Sequence, residues 1–397
     1  MRQRIDRREF LKTLVAAGIG SLARPTAGTP QGAPTAAAGV VPVRPFGRTG
    51  ASVSILGLGG MFDIPNNQVL LQQALALGVT YWDTAESYEG GRSESGIGKF
   101  FDGNPDARKR VFLVTKSGER SPAALSRPLQ RSLERMKTDY VDLYFLHGIN
   151  SPAELTGEMK AWAERAKGEG RIRFFGFSTH GNMEDCLAAA ARVGWVDGMM
   201  FTYNYRLMHR DRMRAAVDAC AAAGIGLTAM KTQGGGSVKT DTDEEIRLAG
   251  HFVHRGFTDA QAKLKAVWED ARISSICSQM PSRTLLGTNA AAAMNRTKLA
   301  QGDRDALQRH AEVTRTAYCA GCGRLCSAAL DRPAPVSEVM RCLMYHHSYG
   351  DRDRARAEFR RLGIERLAAL DCRRAESLCP QHMPIARLMK EAAELFG

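Results

Sequence analysis

From Val53 onward the chain alternates short apolar or β-branched runs with longer stretches whose apolar residues recur every three or four positions. The runs Val53–Leu58, Thr80–Asp83, Val111–Thr115, Val141–Leu146, Arg173–Phe177, Gly198–Thr202, Gly226–Met230 and Ile273–Ser278 read as strands. Between them, stretches such as Asn67–Leu77, Pro122–Met136, Pro152–Glu169 and Asp211–Ala223 read as amphipathic helices, the last stopped by Gly224. Eight strands, each followed by a helix over about 240 residues, predict an α/β fold, the (β/α)8 TIM barrel. The rival is a doubly wound open sheet, which ordinarily carries G-x-G-x-x-G after its first strand. Gly57-Leu58-Gly59-Gly60 lacks the third glycine at that spacing.

Such a barrel holds its reactive groups just past the C-terminal ends of its strands. Four polar side chains fall there. Asp83 ends the second predicted strand, Tyr88 follows five residues later, Lys116 ends the third strand and His147 the fourth. Singly they read as a capping aspartate, a surface lysine and a core histidine. Together at one barrel mouth they form a candidate catalytic set.

The segments Asp83-Thr84-Ala85-Glu86-Ser87-Tyr88, Thr115-Lys116-Ser117 and Asp142-Leu143-Tyr144-Phe145-Leu146-His147 resemble the aldo-keto reductase family. So do Gly176-Phe177-Ser178-Thr179-His180, Tyr203-Asn204 and the run from Met280 to Asn289, in family order over residues 45 to 295. The resemblance implies interconversion of a carbonyl and an alcohol on a small molecule, with a nicotinamide supplying hydride. It makes Tyr88 the general acid and base, and Lys116 the group that lowers a phenol pKa ordinarily near 10. Asp83 then holds Lys116, and His147 orients the substrate oxygen.

The implied cofactor contacts are Ser178, Thr179, Met200, Met230, Gly234, Gly235, Arg283 and Asn289, with NADP(H) favoured and NAD as the alternative. Several depart from the family pattern. Thr179 follows Ser178 in the carboxamide grip, Met200 stands where Gln is usual, and Met230 where an aromatic ring often stacks. Gly234-Gly235-Gly236 reads first as a loop and second as a phosphate cradle. These departures keep open another class, an iron–sulfur electron-transfer or binding protein with a vestigial barrel.

Of nine cysteines, six lie after residue 318, while Cys186, Cys220 and Cys277 read as small core residues. Cys319-x2-Cys322-x3-Cys326 and the remote Cys379-Pro380 resemble half of a bacterial two-cluster ferredoxin. That resemblance implies one [4Fe-4S] cluster on Cys319, Cys322, Cys326 and Cys379, with Cys342 and Cys372 as spectators. Zinc on four thiolates and disulfides are the alternatives. Helical patterns at Val336–Tyr345 and Asp351–Leu362 give residues 301–397 the character of a small, mainly helical iron–sulfur extension on a barrel spanning 39–300, with a redox partner as a candidate.

Before the barrel, Asp6-Arg7-Arg8-Glu9-Phe10-Leu11-Lys12 precedes a short apolar stretch to Leu22 and a Pro/Ala/Gly/Thr-rich tail. This resembles a twin-arginine signal, and the apolar stretch falls short of the roughly 20 residues of a membrane span. Residues 1–38 are therefore expected to engage the twin-arginine export machinery and send the protein to the periplasm or another extracytoplasmic space. No stable membrane span is expected. The net charge of +13 comes from arginines interleaved with acids, as in Asp351-Arg352-Asp353-Arg354. Without a basic run interleaved with aromatics, that charge reads as a solvated surface, and no nucleic-acid partner is expected.

Overall fold

The structure is a computed structural model that describes residues 39–240, 243–332, 334–364 and 370–397. A hairpin comes first, β1 (Val43–Pro45) pairing antiparallel with β2 (Ser52–Ser54). Eight strands follow: β3 (Leu56–Gly59), β4 (Tyr81–Asp83), β5 (Phe112–Ser117), β6 (Val141–Ile149), β7 (Ile172–Thr179), β8 (Gly198–Thr202), β9 (Gly226–Met230) and β10 (Ser275–Gln279). All pair in parallel and in sequence order, and β10 returns to β3 to close the barrel.

The predicted strand Val53–Leu58 is in fact two. Hydrogen-bond partners change at Ile55, whose N–H donates to Pro42 O in the hairpin while its carbonyl accepts from Ile276 N and the Trp268 indole. An unbroken apolar run carries no mark of a change of partner. Elsewhere the differences are at the ends: β5 runs on to Ser117, and β6 to Ile149 through a register shift after Leu146.

Alternation sorts the strand side chains between two cores. Val114, Leu143, Phe145 and Met200 fill the barrel, whereas Leu113, Tyr144, Leu146 and Phe201 pack outward against the helices. The hairpin loop plugs the bottom. Phe46 is fully buried, with its ring centroid 5.4 Å from that of Phe112. Strands β8 and β9 open with glycine because a Cβ at Gly198 or Gly226 would lie 2.7 or 2.5 Å from the Phe46 ring.

After the last barrel helix, Arg283–Met294, and the helix Gln301–Val313, the chain forms the expected extension. Its helices Gly323–Ser327, Val336–His347, Arg352–Arg361, Arg373–Leu378 and Ile385–Phe396 enclose their own core, built on Val339, Met340, Leu343, Phe359, Leu388 and Phe396. Residues 39–397 cluster as one unit. The extension is tied to the barrel mouth by Asn182 N to Gly321 O at 2.8 Å, Ser237 Oγ to Met340 O at 2.9 Å and Ser348 Oγ to Gly236 O at 2.6 Å. Gly321 has φ +79°, and a Cβ there would stand 2.4 Å from His180 O, so the cysteine loop seats this closely only with glycine. The segment 1–38, with the twin-arginine pattern, lies outside the described residues. No helix among the described residues is long and apolar enough to cross a membrane.

Candidate active site

The fold brings the four catalytic candidates together. Lys116, inward-facing near the end of β5, places Nζ 2.7 Å from Asp83 Oδ1, 2.8 Å from Thr84 O and 3.2 Å from Tyr88 OH. Its side chain is 1% exposed and that of Asp83 3%. The imidazole of His147 meets the Tyr88 ring edge-on at 5.6 Å between centroids. His147 stands where β6 bulges, and the next amide, Gly148 N, donates to Ser178 Oγ at 2.9 Å.

Burial pushes the Asp83 carboxyl up and the nearby Lys116 ammonium pulls it back. Asp83 and the Tyr88 oxygen outweigh the desolvation of Lys116, whose pKa rises well above the ordinary lysine value. With Nζ donating to three oxygens, the charged pair is the form consistent with the geometry. Tyr88 corrects one expectation. Lys116 does favour its phenolate, but burial is the larger effect and leaves the phenol above its ordinary pKa. Burial first, then Lys116, hold His147 well below the usual histidine range, so the ring is neutral near pH 7. The site therefore presents a protonated phenol and a neutral imidazole, the forms that assist a carbonyl oxygen gaining charge.

The cofactor candidates are dispersed. Ser178 accepts from Gly148 N and keeps its own proton to donate, whereas Thr179 Oγ1 is committed to Gly181 O at 2.9 Å. Met200 and Met230 pack with the barrel-interior cluster. Around the glycine run, a Cβ at Gly234 would come 2.8 Å from Tyr205, and one at Gly235 2.9 Å from Ser348 of the extension. Asn289 donates to Ser278 Oγ at 3.2 Å, and Arg283 binds Gln73 Oε1 on the surface at 3.2 Å.

Cys319, Cys322, Cys326 and Cys379 line one cavity with Ala320, Leu325, Val336, Met340 and Ile385. Burial pushes the Cys322 thiol up, and Arg210, whose Nη1 is buried without a partner, pulls it partly back. No group of three His, Cys, Asp or Glu among the described residues is placed to hold a metal ion. Cys342 and Cys372 are buried in the extension core.

The sequence reading missed several groups at the mouth. Cys277 lies beside the Asp83 oxygen that lacks a well-formed hydrogen bond. Lys231, Arg341 and Arg354 gather around Tyr345, Lys231 Nζ donating to Tyr345 OH at 3.2 Å, and Arg354 also acts on Tyr88. Lys231 directly follows β9, so the strand-end rule could have found it. The other three depend on how the extension docks.

The barrel, with its buried Asp–Lys pair against a tyrosine and a histidine, defines an oxidoreductase-type site on a TIM barrel. The Aldo/keto reductase family model matches residues 55–279, and the chain belongs to that family. Among curated relatives, it is 35% identical over 151 residues to the uncharacterized oxidoreductase YqkF of Bacillus subtilis, covering 34% of this chain and 48% of that protein. It is 34% identical over 127 residues to the aldo-keto reductase yakc [NADP(+)] of Schizosaccharomyces pombe, covering 28% and 36%. These matches thus span about half or less of the relatives' length. The solved holo form of aldo-keto reductase AKR11C1 from Bacillus halodurans shares the fold, with a TM-score of 0.56 at 22% identity over 68% of this chain and 95% of that one.

Proposed function

We propose that the protein is an NADP(H)-dependent reductase that interconverts a small-molecule carbonyl and its alcohol. The observation that carries this reading is Lys116, whose ammonium joins Asp83 at 2.7 Å to Tyr88 OH at 3.2 Å. The donor set fits a nicotinamide: a phenol and a neutral imidazole face the mouth, next to the Ser178 hydroxyl. When bound, the nicotinamide supplies hydride to the carbonyl carbon. Tyr88 donates its proton to the carbonyl oxygen, and Lys116 steadies the phenolate left behind. Asp83 keeps Lys116 charged and aimed, and neutral His147 positions the oxygen. Arg283 on the surface and the NADP(+) in the name of the fission-yeast relative favour NADP(H) over NAD.

In the same reading, Cys319, Cys322, Cys326 and Cys379 hold one [4Fe-4S] cluster, which supplies an electron-transfer centre for a redox partner. Four cysteines around an apolar cavity support it. Residues 1–38 act as the twin-arginine signal, on the strength of Arg7, Arg8 and the short apolar stretch, and deliver the folded protein outside the cytoplasm.

The test pairs NADPH binding, read by fluorescence, with reduction of benzaldehyde. Tyr88→Phe is expected to keep nucleotide binding and to lose roughly 100- to 10,000-fold in turnover. Undiminished turnover removes Tyr88 from the chemistry. A second reading, an electron-transfer protein with an inactive barrel, is favoured by the committed Thr179 hydroxyl and the packed glycine run. Iron without NADPH binding would establish it.

A further inference from the structure

The extension brings to the mouth cations that the proposed proton transfer does not use. Arg341 lies on the helix Val336–His347, Arg354 on Arg352–Arg361, and Lys231 just after β9. They converge. Arg354 acts electrostatically on Tyr88, Arg341 and Arg354 on His147, and all three on His180. The two guanidinium groups have a buried Nε with no hydrogen-bond partner, and neither forms an ion pair among the described residues.

Among the described residues no carboxylate forms an ion pair with Arg341 or Arg354, although Asp351 and Glu358 favour the Arg354 cation through space. Asp83 holds Lys116, and Asp351 accepts from Arg354 N at 3.2 Å to cap the helix. Glu358 pairs with Arg361 at 3.1 Å, and Glu338 accepts from Ser337 Oγ at 2.8 Å. Arg354 lies over the Tyr345 ring, its Cζ 4.4 Å from the ring centroid. Like charges gathered and left unpaired in a poorly hydrated place destabilise the fold, unless an anion completes the set.

Lys231 and Arg341 line a cavity of about 40 Å³ together with His180, Tyr318, Glu338 and Met344. One water occupies about 30 Å³ of liquid, so the space suits a small planar group. The guanidinium fork matches a carboxylate in two parallel hydrogen bonds. Arg354 acts on both Tyr88 and His147, and Arg341 on His147, which sets the two guanidinium groups on the side of the site that carries the phenol and the imidazole.

We propose that Arg341, Arg354 and Lys231 form a subsite for the carboxylate of the carbonyl substrate, making oxo acids and carboxylated aldehydes the favoured class. This rests on the reductase reading, and the two can fail separately. The purified holoenzyme is assayed with 4-carboxybenzaldehyde and benzaldehyde, and binding of terephthalate, which cannot be reduced this way, is measured by calorimetry. Wild type should prefer the carboxylated aldehyde. Arg341→Met and Arg354→Met should each cut that preference about 10- to 100-fold, the loss of a charge-assisted hydrogen bond. Arg354→Lys, which keeps a cation over Tyr345, guards against a Met variant that fails to fold and should retain part of the preference.

An unchanged ratio of the two aldehydes in the folded variants overturns the proposal, as does a wild type that prefers benzaldehyde. Terephthalate that binds wild type and not the variants supports the subsite even if neither aldehyde is reduced, an outcome that sinks only the reductase reading. A fall in NADPH affinity in the variants, or tighter binding of 4-formylphenyl phosphate than of terephthalate, assigns the cations to a phosphate and overturns the carboxylate.

Discussion

Replacing Lys116 with Met tests the buried pair more sharply than any activity assay, because the cost must depend on pH. In the native site Asp83 has one oxygen on Lys116 Nζ and the other buried without a well-formed hydrogen bond. Lys116→Met leaves that carboxylate with no cation. Burial already pushes Asp83 up, so the variant holds it neutral by taking a proton. A carboxyl raised in the folded state is destabilising above its unfolded pKa, and the penalty grows as pH rises towards the folded value. Protonating a group of ordinary pKa near 3.9 at pH 7 spans about three units at about 1.36 kcal/mol each, a penalty of about 4 kcal/mol. At pH 4 the penalty nearly vanishes. That agrees with the roughly 3–5 kcal/mol for removing one partner of a buried pair. Urea unfolding of wild type and Lys116→Met between pH 4 and 8 measures it. Asp83→Asn/Lys116→Met, which removes both charges of the pair, should recover much of the pH 7 loss and flatten its pH dependence. A deficit in Lys116→Met that is equally large at pH 4 and pH 7 refutes the reasoning.

Because burial leaves Tyr88 above its ordinary pKa and His147 well below its own, kcat/KM for carbonyl reduction should stay flat from about pH 6 to 9 and fall only beyond about 10, as the phenol loses its proton; an alkaline limb near pH 7 contradicts this. Cys379→Ser should lose iron from anaerobically reconstituted protein while Cys372→Ala keeps it, and equal iron in both variants would falsify the ligand assignment. Gly226→Ala forces a Cβ against Phe46 and should cost about 1–3 kcal/mol in urea unfolding, whereas Gly287→Ala, in a helix with open space, should gain about 0.5–1. Cell fractionation of Arg7→Lys/Arg8→Lys should find the protein retained in the cytoplasm, and unaltered export of that variant rejects the signal.

What the sequence disclosed follows from which features are local. Strands β8 and β9 run from Gly198 to Thr202 and from Gly226 to Met230 as predicted, since glycine marks their start and a turn their end. Asp83, Lys116 and His147 were legible because a closed parallel barrel converts position along the chain into position at the mouth. Lys231 obeys the same rule and was readable, but as a lone lysine after an apolar run it has a bland alternative. The change of partners at Ile55 is invisible to periodicity, which records burial and not which strand receives the hydrogen bonds. The pKa of Tyr88 was misjudged for a related reason. The sequence names Lys116 as its neighbour, but desolvation in the folded site is a tertiary quantity and is the larger effect. Arg341 and Arg354 are the hardest case, for they stand among acids, as in Asp351-Arg352-Asp353-Arg354, and read as a solvated face. Helix geometry turns some of those arginines outward and carries Arg354 over the Tyr345 ring, where it forms no ion pair among the described residues. Net charge along the chain is therefore a poor guide to local field. A cation matters where its neighbours in space, rather than in sequence, leave it unpaired.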